Sequence, residues 1–210
     1  MPSAPGKAVL AVAEDLCARR GFRAVSVRDI TTAAGANVAA VNYHFGSKDR
    51  LLLEIFRRRA SQLNRERLRL LHEAETRHGG SPPLREILAA LFGPPVRWYH
   101  AGDERRVALQ FILRVRSEGT EAMLERLHRD VSHLEPFVAA LQRALPQLPA
   151  SEVGWRLHFC LGMVHNNRPA EFERLHRLSH GATRDGDAAG TLERMLDFAT
   201  AGFGAPACRN

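Results

Sequence analysis

Residue types that can contact nucleic acid are concentrated in one short stretch near the N-terminus. Asn42 can form two hydrogen bonds with adenine, and Tyr43 can donate to a phosphate oxygen. Ala39 and Ala40 are small enough for close approach and apolar contact with a thymine methyl. Lys48, at the start of a predicted helix, offers a cation and free backbone N–H groups to a phosphate. These side chains predict a surface that binds bases and phosphates.

Two short helices are expected to position this surface. Ser26 is predicted to cap a helix over 27–34, with Asp29 placed to complete a capping box. Asn37 is predicted to cap a second helix over 38–45. Two helices of this length joined by a glycine turn are typical of a helix-turn-helix, whose second helix enters a major groove.

Helical spacing assigns the two faces of the second helix. Val38, Val41 and Phe45 recur at i, i+3 and i+7 and are expected to face a small core. The opposite face and its flanks then present Ala39, Ala40, Asn42, Tyr43 and His44.

Charge supports a polyanionic partner for the N-terminal segment. The chain has 210 residues and a formal net charge of +7, with 30 Lys and Arg against 23 Asp and Glu. Residues 1–60 hold 10 basic and 5 acidic side chains, so most of the excess lies there. The alternative interpretation of these arginines is a solvated helix face.

Composition predicts a globular chain in a reducing compartment. Apolar side chains make up 45% and charged ones 25%, and no long apolar run indicates a membrane span or signal peptide. The three cysteines are odd in number and widely spaced, which argues against a disulfide framework or a zinc knuckle. We therefore expect a cytoplasmic protein. Binding of DNA by the surface described above would associate it with the nucleoid.

The fold class predicted from periodicity is all-α, because no stretch alternates between apolar and polar residues as a strand does. Glycine and proline clusters divide the chain into about nine predicted helices: 7–20, 27–34, 38–45, a long one from Lys48 to the HGGSPP segment at 78–83, 83–92, 103–117, 120–145 with a break near Pro136, 151–178 and 189–203.

The run SVRDITTAAGANVAAVNYHFGSKDRLLLEIF at 26–56 resembles the DNA-binding domain of the TetR family of bacterial transcriptional regulators. The resemblance implies that Tyr43 and Lys48 contact phosphates. It also implies that the DNA side of the motif is lined by Arg28, Thr31, Asn37, Ala39, Asn42 and His44. Many members have threonine where this chain has Ala40 and an aromatic residue where it has Asn42, so base readout is expected to depend on Asn42, Asn37 and Arg28.

The resemblance also implies a domain organisation. Residues 1–56 would form the three-helix DNA-binding domain, with the helix-turn-helix at about 26–45, and 57–210 a helical effector-binding and dimerisation domain. A homodimer would bind a palindromic operator, and repression is the usual mode of the family. The other interpretation is a helical dimeric adaptor without sequence-specific DNA binding.

Two helices near the C-terminus are predicted to form a four-helix dimer seam. The residues assigned to it are Trp155, Gly162, Leu192, Met195, Leu196, Ala199 and Phe203. The same residues are also consistent with an intramolecular core.

The segments 145–163 and 111–119 are similar to the branch of the family that responds to long-chain fatty acids or acyl-CoA. A hydrophobic effector of this kind needs an apolar tunnel and a cation or donor at one end. The residues predicted to provide them are Phe92, Trp98, Phe111, Met123, Phe159 and Met163 for the tunnel, and Arg114 or Arg116 with His165 for the polar end.

No catalytic motif is present, so an enzyme is not expected, nor is a cofactor. His176 and His180 are spaced for a divalent ion but no third ligand stands beside them, so no metal site is predicted. A redox role for Cys160 is a minor hypothesis.

Overall fold

The computed structural model describes residues 4–165, 169–183 and 187–207. Within these ranges the structure has eleven helices and no strand, which confirms the all-α prediction. In chain order the helices are α1 Ala4–Arg20, α2 Val27–Ala34, α3 Val38–Phe45, α4 Lys48–Arg77, α5 Leu84–His100, α6 Glu104–Glu118, α7 Glu121–Arg129, α8 Glu135–Ala144, α9 Ala150–His165, α10 Pro169–Leu178 and α11 Ala188–Gly204. No described helix has the length and apolar character needed to cross a membrane.

The chain forms two compact units that do not follow its linear order. The first comprises Met1–Gln62 and Ala101–Asp130, and the second comprises Leu63–His100 and Val131–Asn210. Helix α4 contributes to both, and α6 and α7 group with the N-terminal helices. The domain boundary after residue 56 stays a prediction.

The core of the first unit lies between α1, α6 and the helix-turn-helix. Ala13 and Cys17 of α1, four positions apart on one face of the helix, are fully buried. Gly21 ends the helix at a φ of +95°, a conformation that favours glycine, and its N–H donates to the carbonyl of Cys17 at 3.0 Å. The chain then folds back so that the ring of Phe22 packs on Phe111 of α6, with centroids 4.8 Å apart.

Local capping holds α2 and α3 as predicted. The Asp29 N–H donates to Ser26 Oγ at 3.1 Å, and the Ser26 N–H donates to the Asp29 carboxylate at 2.8 Å, which completes the capping box. Gly35 ends α2 in the left-handed region at a φ of +59°. Asn37 Oδ1 accepts the Ala39 N–H at 2.9 Å and starts α3.

One predicted core position of α3 is wrong. Val38 is 39% exposed, whereas Val41 is fully buried and Phe45 is half-buried. Val38 is the first residue of the helix and follows an exposed turn, so the core begins one turn later.

The second unit packs α5 against α8, α9 and α11. Its core contains the fully buried rings of Phe92, Phe137 and Phe203. The prediction that α5 ends near Phe92 is wrong, because the helix continues through Pro94 and Pro95 to its end at residue 100. A buried arginine of α4, Arg67, donates to the backbone of α5 where the prolines remove an N–H donor.

The region 120–145 separates into α7 and α8, and the break lies at 130–134, just before the predicted position. Pro136 lies in the first turn of α8, where its missing N–H costs nothing. The single helix predicted over 151–178 is described as α9 and α10, with 166–168 outside the described residues.

Candidate nucleic-acid interface

Helix α3 presents an exposed polar edge. Tyr43 is 86% exposed, and Ala39, Asn42 and His44 are exposed beside it. The rings of Tyr43 and His44 meet edge to face, with centroids 5.3 Å apart. The opposite side of the helix is anchored by Val41, which is 1% exposed. The predicted reading face is therefore presented to solvent on a helix whose other face is fixed. The side chain of Ala40, predicted on the same face, lies outside the described residues.

The residues predicted on α2 and the turn have different environments. Arg28 is exposed at the start of α2. Thr31 is 3% exposed, and its hydroxyl donates to the Arg28 carbonyl at 3.1 Å, so this side chain has little surface to offer a ligand. Asn37 uses its side-chain oxygen as the cap of α3, which leaves its amide N–H groups available at an exposed position.

Lys48 is half-buried at the N-terminus of α4. Its Nζ donates to the carbonyl of Phe22 at 2.5 Å, so it supports the turn after α1. An ammonium group has three donors, and two remain for a phosphate. Ser47 Oγ accepts the Arg50 N–H at 3.2 Å and caps the start of this helix.

Two residues of α6 also hold the turn that follows α1. Arg114 Nε donates to the Ala18 carbonyl at 2.8 Å and Nη2 donates to the Arg19 carbonyl at 3.2 Å, which satisfies the last carbonyls of α1. Glu118 accepts the Phe22 N–H at 2.6 Å and pairs with Arg114 at 2.5 Å. Sequence reasoning missed these supporting contacts, because nearly a hundred residues separate the partners.

The predicted effector residues fall in both units. Phe111 and Met123 are fully buried in the core of the first unit, where Arg114 is also used, and Arg116 is exposed. Phe92 and Trp98 are buried in the second unit, where Trp98 Nε1 donates to Glu66 at 2.8 Å. On α9, Phe159 is 63% exposed and Met163 is half-buried, while the side chain of His165 lies outside the described residues.

The predicted seam residues divide between surface and core. Met195, Leu196, Ala199 and Phe203 of α11 are at most 8% exposed within the second unit. Leu192 is half-buried, while Trp155 and Gly162 of α9 are exposed. Trp155 is 60% exposed, and its ring stacks on that of Phe159 with centroids 5.7 Å apart.

The buried cysteines are poorly suited to redox chemistry. Burial raises the pKa of the Cys17 and Cys160 thiols to about 11, so little reactive thiolate forms near neutral pH. Across the described ranges, no group of three or more histidine, cysteine or acidic side chains is placed to hold a metal ion.

The fold and the exposed edge of α3 define a class, that of the helix-turn-helix DNA-binding regulators. Residues 9–55 match the sequence profile described as "Bacterial regulatory proteins, tetR family". Residues 89–202, more than half of the chain, match that of "Tetracyclin repressor-like, C-terminal domain". The chain belongs to the TetR family of bacterial transcriptional regulators.

Solved structures of low sequence identity share this fold. PfmR from Thermus thermophilus, a TetR family transcriptional regulator, is 20% identical, with 95% of this chain and 99% of that chain covered and a TM-score of 0.62. NalD, the secondary repressor of the MexAB-OprM multidrug efflux pump in Pseudomonas aeruginosa, is 20% identical over 94% of both chains, with a TM-score of 0.62.

A third similar structure is a protein from Saccharomonospora viridis, assigned as a transcriptional regulator and solved in complex with choline. It is 18% identical, with 93% of this chain and 95% of that chain covered and a TM-score of 0.60. No curated protein sequence matches the chain.

Proposed function

We propose that this protein is a sequence-specific DNA-binding repressor that reads its operator with α3. The observation that carries the proposal is the exposed edge of Asn42, Tyr43 and His44 on a helix fixed by local caps and by buried Val41. Asn42 recognises adenine, Tyr43 donates to a phosphate, and Ala39 permits close approach to the bases.

Three further residues complete the proposed interface. Arg28 and the amide of Asn37 face the DNA from the exposed surface of α2 and the turn. Lys48 binds a phosphate together with the N-terminus of α4. Thr31 is left out of this interface because it is buried and its hydroxyl is already bonded.

Selection of bound sequences from a random duplex library tests this function. We expect a recovered palindrome with half-sites centred about 10 bp or more apart. Tyr43→Ala should weaken binding to every selected sequence without affecting the fold, because the side chain is 86% exposed. Leu178→Ala, at a 70% exposed position on α10, is the matched control. A folded protein that enriches no sequence would reject the proposal and favour the adaptor interpretation.

The proposed repressor acts as a homodimer through α9 and α11. Each helix buries one face in the second unit and exposes large aromatic side chains, with Trp155 and Phe159 on α9 and Phe198 on α11. Arg156 donates to the carbonyls of Phe203 at 2.7 Å and Ala205 at 2.8 Å, which fixes α9 against the end of α11. Exposed apolar side chains on two rigid helices support a four-helix seam between two copies.

A small hydrophobic effector is proposed to release the repressor from DNA. The choline complex of a similar fold supports a small-molecule effector, and the predicted apolar lining residues Phe92 and Trp98, both buried in the second unit, support a hydrophobic one. The finer proposal is an acyl chain, either a long-chain fatty acid or acyl-CoA. Titration of the protein–operator complex with acyl chains of about 8 to 18 carbons tests this proposal, with choline as the comparison ligand. We expect an effective chain to lower the affinity for DNA by roughly tenfold. DNA affinity that is unchanged by every chain length would reject the acyl proposal.

A further inference from the structure

A cleft of about 630 Å³ opens beside the recognition helix. It lies between the last turn of α3 and one face of α4, and we call it the α4 cleft. Its polar lining consists of His44, Arg50, Glu54, Arg57 and Arg58, over an apolar floor that includes Phe45. On α4 these side chains recur at i, i+4, i+7 and i+8, which places them along one stripe of the helix.

The charge of this cleft is positive. Among the described residues that line the cleft, Glu54 is the one that is acidic, and it pairs with Arg58 at 2.7 Å. Arg50 and Arg57 are exposed, and neither side chain has an ion-pair or hydrogen-bond partner among the described residues. Two guanidinium groups are therefore left uncompensated at the rim of a concave surface. Such a surface attracts an anion that can accept from both of them.

Arg57, Arg58 and Arg59 are consecutive in the sequence, but they are not all available to a ligand. Arg59 follows Arg57 and Arg58 but points into the first unit, where it donates to Glu14 at 2.7 and 2.8 Å and to Glu104 at 3.1 Å. Arg57 is thus the member of the run that stays available to a ligand.

The position of the cleft identifies the anion. An eight-residue helix is about 12 Å long, close to the width of a major groove. In the proposed complex, the C-terminal end of α3 therefore lies near one wall of the groove. That wall is a strand of phosphates, and His44 belongs both to the proposed reading face and to the cleft. The separation of Arg50 and Arg57 along α4 is roughly 10 Å, which is the rise of about three base pairs.

We infer that the α4 cleft binds the phosphate backbone of DNA next to the bases read by α3, through Arg50 and Arg57. This inference rests on the proposed function, since it extends the DNA-binding surface of the same helix. Its contribution is electrostatic and independent of sequence. It adds two phosphate contacts per protomer and lengthens the footprint on the operator.

The salt dependence of operator binding tests the inference. The slope of log affinity against log salt is negative. We expect the Arg50→Ala/Arg57→Ala variant to make it less steep by about 2 per protomer, without changing the order of preferred sequences. Arg50→Lys/Arg57→Lys should retain most of the slope, because it keeps both charges. Arg65→Ala, which removes an exposed arginine of the same helix outside the cleft, should leave the slope at the wild-type value.

The length of the duplex provides the second measurement. Removing about three base pairs from the flank next to the cleft should abolish the difference between wild type and the alanine variant. An alanine variant with the wild-type slope on the long duplex would overturn the inference. A difference in slope between wild type and the alanine variant that persists on the shortened duplex would also overturn it, and would indicate a site for a small anion. If the wild-type protein itself binds no duplex selectively, the proposed function fails instead.

Discussion

At the scale of single residues, Pro95 leaves the carbonyl of Leu91 without its helical partner, because proline has no backbone N–H. Arg67 of α4 replaces that partner, since its Nε donates to the Leu91 carbonyl at 2.9 Å. The guanidinium is buried, and burial lowers the pKa of Arg67 to about 10, so it still carries its charge near neutral pH. One side chain therefore supplies the donor that Pro95 removes from the hydrogen-bond ladder of α5.

Arg67→Met should destabilise the fold by about 1–3 kcal/mol, because it leaves a buried carbonyl without a donor. Pro95→Ala restores an N–H at that position, so the cost of Arg67→Met should be smaller in the Pro95→Ala background. Urea unfolding of the wild type, both single variants and the double variant measures this coupling. Equal costs of Arg67→Met in the two backgrounds would show that the hydrogen bond to Leu91 is not what Arg67 provides.

Asn42 is expected to contribute specificity to the proposed interface. Asn42→Ala should cost about 1–3 kcal/mol of binding at one base position of the selected operator and relax the preference there. Competition between the selected duplex and single-base variants of it measures this effect. Losses of the same size on every duplex would assign Asn42 to the phosphate backbone instead of a base.

At the scale of elements, the capping box of α2 links the stability of the helix-turn-helix to pH. Hydrogen bonds from the Ser26 hydroxyl and backbone N–H hold the pKa of Asp29 below its usual value. Because the folded-state pKa is lowered, the stabilisation is present above the ordinary aspartate pKa of about 3.9 and is lost as pH falls through the folded value.

Asp29→Asn should therefore be less stable than the wild type at pH 5, and the difference should vanish near pH 2. Unfolding free energies of both proteins across this range provide the measurement, and Asp15→Asn, an exposed i,i+4 pair with Arg19, serves as the comparison. A difference between wild type and Asp29→Asn that is as large at pH 2 as at pH 5 would show that the carboxylate charge is not responsible.

The elements that the sequence predicted correctly are those with local signals. Ser26, Gly35 and Asn37 act within four residues of their own positions, so the bounds of α2 and α3 follow from the sequence. The end of α5 was not predictable in this way, because the donor that compensates Pro95 comes from Arg67, 28 positions earlier in the chain. The rule that proline ends a helix is a local one, and a tertiary contact can override it.

At the scale of the whole molecule, chain order is a poor guide to which residues share a core. Helix α6 belongs to the first unit, although residues 63–100 separate it from the N-terminal part of that unit. It packs Phe111 against Phe22 and binds the end of α1 through Arg114. Residues predicted to form one effector site therefore fall in two units. The apolar pattern of α6 identifies a buried face but does not specify its partner.

The last prediction concerns the proposed homodimer, which supplies the two copies of α3 that a palindromic operator needs. Trp155→Arg places a charge on an exposed aromatic stack, so folding should be unaffected while association is weakened. A buried tryptophan at a seam contributes about 2 kcal/mol or more, so we expect the dimer dissociation constant to rise at least about 30-fold. Sedimentation equilibrium should show the shift from twice the chain mass toward once.

Leu178→Arg introduces the same charge at a 70% exposed position on α10 and should leave the mass doubled. Operator affinity should fall with Trp155→Arg and recover at protein concentrations that restore the dimer, because each protomer keeps its own reading face. If Trp155→Arg stays dimeric at the same concentrations as the Leu178→Arg control, the dimer interface does not include Trp155. A monomer that binds the full palindrome as tightly as the wild type would show that the two half-sites are read independently.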